Sequence, residues 1–240
     1  SVDWASSPLT VIRSTWDYHL RRKRFLQWVR SVPTVENPPE LVEWNTDKGY
    51  ILGLSSSIPV IPSRLLDDPS DEDVEAALGV AGWPVAVLKP AVGLDGHGVE
   101  QVRRGTVPTG SRRGRWVLQP FVASVRETGE VSVVLIDGHP THAVRRRPPA
   151  NDFRAQERLG GSVERYDAPD AWINLARKVV AGLGRTPLYA RVDLVEHEGA
   201  PTLMELELVE PSLFFEFGEE GLASMVQSIA ARVGVEPRTT

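Results

Sequence analysis

The apolar and polar positions fall into short segments, each with one of two periods. Leu9-Thr10-Val11-Ile12 is the kind of run that a buried parallel strand leaves, and with no segment before it to pair with, the chain is expected to start inside a domain. From Leu20 to Val29 the apolar residues Leu20, Phe25, Trp28 and Val29 recur at helical spacing, and Arg21 to Arg24 read as a solvated helix face. Asn37-Pro38-Pro39 predicts a turn, Trp44 to Lys48 the opening of a second helix, and Ser70 with Asp73 a capping box that starts a helix over 71–78. Strands are predicted between Pro84 and Pro90, over 99–102 and over 116–122. Two hairpins follow, 131–136 with 142–146 across Asp137-Gly138, and 188–195 with 203–209 across Glu198-Gly199. Helices are expected over 171–183 and 221–233. So many hairpins predict an α+β fold with largely antiparallel sheets, and argue against a doubly wound nucleotide fold over 45–240.

Composition narrows the chemistry. With 240 residues, 41% of them hydrophobic, the chain can bury one large core or two to three smaller ones. The absence of cysteine excludes disulfides, thiolate metal sites and cysteine nucleophiles. No apolar run approaches a membrane span and no leader pattern opens the chain, so a cytoplasmic protein without a membrane partner is expected. A net charge of -5 argues against a nucleic-acid partner. Of the 27 basic residues only four are lysines, Lys23, Lys48, Lys89 and Lys178, so a lysine kept against that bias invites a functional reading.

Three features carry candidate chemistry. Lys89-Pro90-Ala91-Val92-Gly93-Leu94-Asp95-Gly96-His97-Gly98 puts a glycine loop directly after a strand, where backbone amides can approach phosphate oxygens; it fits neither a Walker loop nor a dinucleotide fingerprint, and a hairpin tip is the plain alternative. Lys89 inside an apolar strand favours the phosphate reading, because a buried ammonium without an anionic partner is costly. On the last hairpin, the period of two puts Glu205 and Glu207 on one face, and Asp193 can join them. Carboxylates about 5 Å apart repel by roughly 3 kcal/mol at an effective dielectric of about 20, so the face is either solvated or a cation site. In Arg145-Arg146-Arg147, alternation sends Arg146 to the face opposite its neighbours, and at least one guanidinium is expected to meet an anion. His139 and His142 read as loop residues. No nucleophile elbow or zinc motif is present.

Taken in order, Asp47-Lys48, Leu88-Lys89-Pro90 with its glycine loop, Leu118-Gln119-Pro120-Phe121-Val122, Gly129-Glu130, the stretch from Asn151 to Gln156, Tyr189-Ala190-Arg191-Val192-Asp193, and Met204 to Pro211 resemble the ATP-grasp ligases from Val11 to Phe215. The opening Ile12 to His19 and the ending Glu-Leu-Glu-Leu-Val-Glu-Pro are similar to the branch that closes O-ureido-D-serine to D-cycloserine in antibiotic biosynthesis. The resemblance implies two α+β subdomains gripping ATP, at 45–122 and 123–240, after the remainder of an N-terminal α/β domain at 1–44. It implies that Lys48, Lys89 and the loop with Gly93, Gly96, His97 and Gly98 hold ATP phosphates, that Gln119, Phe121 and Val122 face adenine, and that Glu130 or Glu127 takes the ribose. Asp193, Glu205 and Glu207 would carry magnesium. Arg146 or Arg147, with Arg154 and Arg191, would hold the transferring phosphate and the substrate carboxylate.

The chain departs from the usual pattern in three places: Gln119 replaces a hinge glutamate, Glu207 replaces an asparagine, and the first βαβ portion is missing. Arg13, Ser14, Thr15, Asp17 and Tyr18 follow a strand and suit a small polar, amino-acid-like substrate. The implied activity is carbon–nitrogen ligation through an acyl phosphate, in a protein compatible with homo-oligomerisation. An amino-acid or peptide ligase and a non-catalytic nucleotide-binding module are the alternatives.

Overall fold

The computed structural model describes residues 2–94, 96–155 and 159–235, so Asp95 of the glycine loop and Gln156 lie outside the described residues. β1 (Thr10–Val11) and β2 (Val35–Glu36) pair in parallel, joined by α1 (Arg22–Ser31). Phe25, Leu26 and Val29 of α1 pack with Ile12, Val32 and Val42. Leu20, expected on the helix's apolar face, is exposed, because a tighter 3-10 turn over Tyr18–Arg21 precedes the helix and breaks its phase. α2 (Pro39–Asn45) starts within the predicted turn, since Pro39 suits the first helical position, and α3 (Tyr50–Leu54) begins only after a break at Thr46.

A four-stranded sheet comes next, with β3 (Arg64–Asp67), α4 (Asp71–Ala81), β4 (Val85–Pro90), β5 (Glu100–Arg103) and β6 (Arg115–Pro120). Its order is β3-β6-β4-β5, antiparallel throughout. The Ser70–Asp73 capping box is present, and α4 runs beyond the predicted Leu78 until Gly82 closes it at φ 70°. Val74 and Leu78 of α4 cover Ala86, Leu88, Val102, Trp116 and Leu118, so alternation leaves Val87, Lys89 and Gln119 on the other face.

The remaining elements are α5 (Ser124–Glu127), β7 (Glu130–Ile136), β8 (His139–Arg147), β9 (Ser162–Arg165), α6 (Asp170–Ala181), β10 (Tyr189–His197), β11 (Ala200–Glu207) and α7 (Glu219–Val233). The five strands form an antiparallel sheet of order β11-β10-β7-β8-β9. Leu175, Ala176, Val179 and Val180 of α6 pack on Val131, Val133, Leu135, Val192, Leu194 and Leu206. Leu41, Tyr50, Ile51 and Ile58 join the same core, so residues 45–61, which sequence reading groups with the glycine-loop unit, pack under the five-stranded sheet. Among the described residues no helix is long and apolar enough to cross a membrane.

Both hairpins use the predicted turns, with φ 47° at Asp137, 74° at Gly138, 53° at Glu198 and 77° at Gly199, the two left-handed residues that a two-residue turn requires. Because such a turn adds no further loop, β8 resumes at once and both histidines belong to it. The loop reading of His139 and His142 is corrected accordingly: His139 pairs with Ile136 and His142 with Val134. The His142 ring is buried, with Nε2 2.8 Å from the Leu213 carbonyl. It fits only because Gly218 and Gly221 lack side chains, since a Cβ at either would lie within 2.6 Å of the ring. Each hairpin also carries a β-bulge, after Val134 in β7–β8 and after Asp193 in β10–β11.

β11 is the outer strand of its sheet, yet its backbone is not open: Leu203 bonds to the backbone of Pro59 and Ile61, and side chains cover the groups beyond it. The Tyr50 hydroxyl donates to the Leu206 carbonyl at 2.9 Å and accepts from the Leu206 N–H at 2.7 Å. The Asn45 amide donates to the same carbonyl at 2.7 Å and accepts from the Leu208 N–H at 2.7 Å. Asn37 likewise donates to the carbonyls of Tyr189 and Leu208 and accepts from the Leu188 N–H. Side chains from 37–50 thus stand in for a missing strand and satisfy buried groups that would otherwise be orphaned. Tyr50→Phe is expected to destabilise the protein by about 2–4 kcal/mol, because it leaves a buried N–H without its partner and weakens a carbonyl's. Thermal unfolding measures it; an unchanged midpoint would show that the edge is held by packing alone.

Candidate active site

The polar faces of the two sheets meet over one cleft of about 460 Å³. From β4, Val87 and Lys89 reach it, and from β6, Gln119 and Pro120. The five-stranded sheet contributes Glu130, Arg146, Arg191, Asp193, Glu205 and Glu207. Trp16, Tyr18, Glu210 and Phe214 line it as well, as do Phe121 and Val125.

Asp193 is the centre of this face. It is buried and accepts from Ser132 Oγ at 2.6 Å, from Arg191 Nε and Nη2 at 2.9 Å each, and from Arg146 Nη2 at 2.8 Å. Arg146 also pairs with Glu130, and Arg191 with Glu207. Burial pushes the Asp193 carboxyl up, but the two guanidiniums overcome it and hold the group at about 2. Glu207 is pushed up to about 7 by burial, because Arg191 is already shared with Asp193. Glu205 lies 3.2 Å from Lys48 Nζ and 4.0 Å from Lys89 Nζ, which together hold it below the usual carboxylate range against its burial. Burial also lowers Lys89, only partly opposed by Glu205.

The glycine loop folds over this charge. Lys48 Nζ donates to the Gly93 carbonyl and Arg154 Nη1 to that of Gly96 at 3.3 Å, while Arg154 is forked onto Asp152. Gly96 and Gly98 both hold φ 70°, and a Cβ on Gly98 would stand 3.0 Å from Pro90 Cγ. Gly93, Gly96 and His97 line the cleft; Gly98 supports the fold of the loop from behind.

The cleft therefore gathers Lys48, Lys89, Gly93, Gly96, His97, Gln119, Phe121, Val122, Glu130, Arg146, Arg154, Arg191, Asp193, Glu205, Glu207 and Tyr18 from distant parts of the chain. Arg147 points to the outer face and pairs with Glu164, and Glu127 is exposed on α5; neither lines the cleft. Arg13, Ser14, Thr15 and Asp17 lie outside its wall too. Arg13 instead donates to the Pro211 carbonyl at 2.9 Å and stacks on Tyr189. Sequence reading missed Trp16, Phe153, Phe214 and above all Glu210. The period of two that finds Glu205 and Glu207 passes over Glu210, because β11 ends at Glu207 and the chain turns.

Among the described residues no three carboxylates or imidazoles converge as a ready metal cage. That suits magnesium, which keeps its waters and binds through one or two carboxylates plus substrate phosphates. The donor set fits this role: hard oxygens only, with Glu207 obliged to share the Arg191 guanidinium with Asp193.

Residues 1–38 match the N-terminal domain of D-cycloserine synthetase DcsG, and residues 80–217 match the ATP-grasp domain of prokaryotic glutathione synthetase. The chain is 32% identical to the cycloserine biosynthesis protein DcsG of Streptomyces lavendulae, over 97% of this chain and 86% of that protein. The crystal structure of D-cycloserine synthetase DcsG superposes with a TM-score of 0.84 at 29% identity, covering 97% and 86% of the two chains. A D-alanine–D-alanine ligase from Bacillus anthracis, complexed with ATP, shares the fold at a TM-score of 0.60 and 15% identity, over 90% of this chain and 83% of that one. Two sheets gripping one charged cleft, a family match across the glycine loop and the acidic hairpin, and a relative similar along nearly its whole length show that this chain belongs to the ATP-grasp ligases.

Proposed function

We propose that this ATP-dependent carbon–nitrogen ligase closes O-ureido-D-serine to D-cycloserine. What carries the reading is similarity to the cycloserine biosynthesis protein along 97% of the chain, including the N-terminal stretch that supplies Trp16 and Tyr18 to the cleft. That stretch lies outside the segment matched to glutathione synthetase, so it is where substrate choice would differ.

In this reading a carboxylate oxygen of the substrate attacks the γ-phosphorus of ATP and the bond to ADP breaks. The nitrogen bonded to oxygen in the same molecule then attacks the acyl carbon, loses its proton and expels phosphate. The carbamoyl group on that nitrogen leaves by reaction with one water, as ammonia and carbon dioxide. The protein's part is positioning and neutralisation, which is most of what phosphoryl transfer asks of an enzyme. Lys48 and Lys89 hold phosphate oxygens, Arg146, Arg191 and Arg154 the transferring group and the carboxylate, and the loop from Gly93 to Gly98 excludes water from the acyl phosphate. Gln119, Phe121 and Val122 border the adenine, with the Gln119 side chain already tied to Ser63, so the contact is a backbone one. Glu130 is the ribose candidate that lines the cleft. Asp193, Glu205 and Glu207 would hold magnesium, which supplies charge neutralisation on the phosphates.

Asp193→Asn and Glu205→Gln are each expected to lower turnover about 100-fold or more, roughly 2.7 kcal/mol of barrier, with the fold kept. The fold survives because Arg146 retains Glu130, Arg191 retains Glu207, and the amide oxygen of the glutamine can still accept from Lys48. ADP release and circular dichroism decide it, and wild-type rates in both variants would reduce the acidic face to a structural ion network. Lys89→Met keeps the buried stem and removes one charge-assisted bond, so magnesium-ATP is expected to bind about 10- to 100-fold more weakly by calorimetry; an unchanged dissociation constant removes Lys89 from the site. For the substrate, O-ureido-D-serine alone with ATP and magnesium is expected to release ADP and form the ring. ADP release only with paired amino acids would make the protein an intermolecular amino-acid ligase.

A further inference from the structure

Of the five carboxylates on the cleft wall, four have a cation in contact: Glu130 with Arg146, Asp193 with Arg146 and Arg191, Glu205 with Lys48, and Glu207 with Arg191. Glu210 has none. It is 6% exposed, lines the cleft, and its Oε2 is enclosed with no hydrogen-bond partner. The nearest cations do not reach it: Arg13 spends Nη2 on the Pro211 carbonyl and stacks on Tyr189 while its Nη1 ends buried without a hydrogen-bond partner, Arg191 is held by Asp193 and Glu207, and Lys48 by Glu205 and the Gly93 carbonyl. A desolvated carboxylate without a partner costs several kcal/mol, so its retention implies a cation brought by a ligand.

The position of Glu210 says which ligand. The lysines and Glu205 are assigned to the phosphates, whereas Glu210 follows the acidic hairpin and interacts with Tyr18, from the N-terminal stretch that also supplies Trp16 to the cleft. ATP carries only negative charge to the protein, but an amino-acid substrate carries one ammonium. We propose that Glu210 is the anchor for the α-ammonium of the substrate, so that the cleft selects α-amino acids and rejects their des-amino counterparts. This deepens the amino-acid reading above and rests on it. With one end fixed on Glu210, the substrate carboxylate is directed toward Arg191, whose Nη1 lies 3.3 Å from the Ser212 carbonyl on the same segment. Tyr18 and Phe214 enclose the anchor: both are buried, and both line the cleft.

Glu210→Gln keeps the shape and removes the charge. The experiment measures magnesium-ATP dissociation by calorimetry, and KM and kcat for O-ureido-D-serine and for its des-amino analogue, 3-(ureidooxy)propanoate. The expected result is a KM for the amino acid raised about 10- to 100-fold, with the analogue's KM and the magnesium-ATP constant changed by no more than about twofold. The nucleotide constant also reports that the variant is folded. An unchanged KM overturns the proposal, as does an equal loss for both compounds. A fall in kcat alone would mean that Glu210 moves a proton, and weaker magnesium-ATP binding that it holds the metal; either overturns the anchor. If the wild type ignores O-ureido-D-serine, the ring-closure reading falls, and the comparison is made on whichever amino acid it does phosphorylate. A wild type that uses no amino acid, or accepts des-amino acids equally well, overturns the anchor itself.

Discussion

Asp193 held between Arg146 and Arg191 is the interaction around which the cleft is organised. A single carboxylate taken out of water costs several kcal/mol, and two guanidiniums with a serine hydroxyl return enough to keep it charged at about 2. Each guanidinium then needs more negative charge than one aspartate supplies, and Glu130 and Glu207 supply it. The result is a continuous buried network across β8, β7, β10 and β11, in which removing one member leaves its neighbours partly satisfied.

Such a network requires strands that do not drift, and the fold meets this need from behind the sheet. Glu205 and Glu207 flank Leu206, whose backbone is gripped on both its N–H and its carbonyl by Tyr50, with Asn45 alongside. Asn37 ties Leu208 to Tyr189 and Leu188 on the neighbouring strand. An edge strand ordinarily exposes a row of free backbone groups; here the backbone of 59–61 and the side chains of Tyr50 and Asn45 occupy them and fix the acidic face in place. The Tyr189 hydroxyl extends the same principle to the N-terminal pair, lying 2.7 Å from the Ile12 carbonyl and 2.8 Å from that of Val209.

The pairing also explains how a cleft so rich in charge can exist without a ligand. In the proposed reading the lysines and arginines serve phosphate and the carboxylates a divalent cation, so each sign is stored on the other. Binding of a polyanion with its cation would then exchange these partners without exposing either to a bare apolar surface. Donors and acceptors are oriented beforehand, and little reorganisation is left for the reaction itself.

Much of this was legible in the chain: the antiparallel α+β order, the Ser70–Asp73 cap, the two tight turns and the acids of the last hairpin follow from local period and turn chemistry, which act within a few residues. Which faces those residues share was not. Continued from its turn without interruption, the last hairpin would set Asp193 opposite Met204, on the face away from Glu205; the bulge after Asp193 brings it opposite Glu205 instead. In the other hairpin the bulge after Val134 sets Arg146, rather than Arg145, opposite Glu130 and so into the cleft, leaving Arg147 to Glu164 outside. A slip of one residue exchanges every side chain between the two faces of a strand, so these registers decide the site. They follow from packing the whole sheet on α6 and from the buried charges it must pair, and Glu210 reaches the cleft only because the chain turns after β11. The sequence by itself determined which chemical groups are available; only the tertiary structure decided which of them meet, because burial and register are properties of the assembled sheet and not of any local segment.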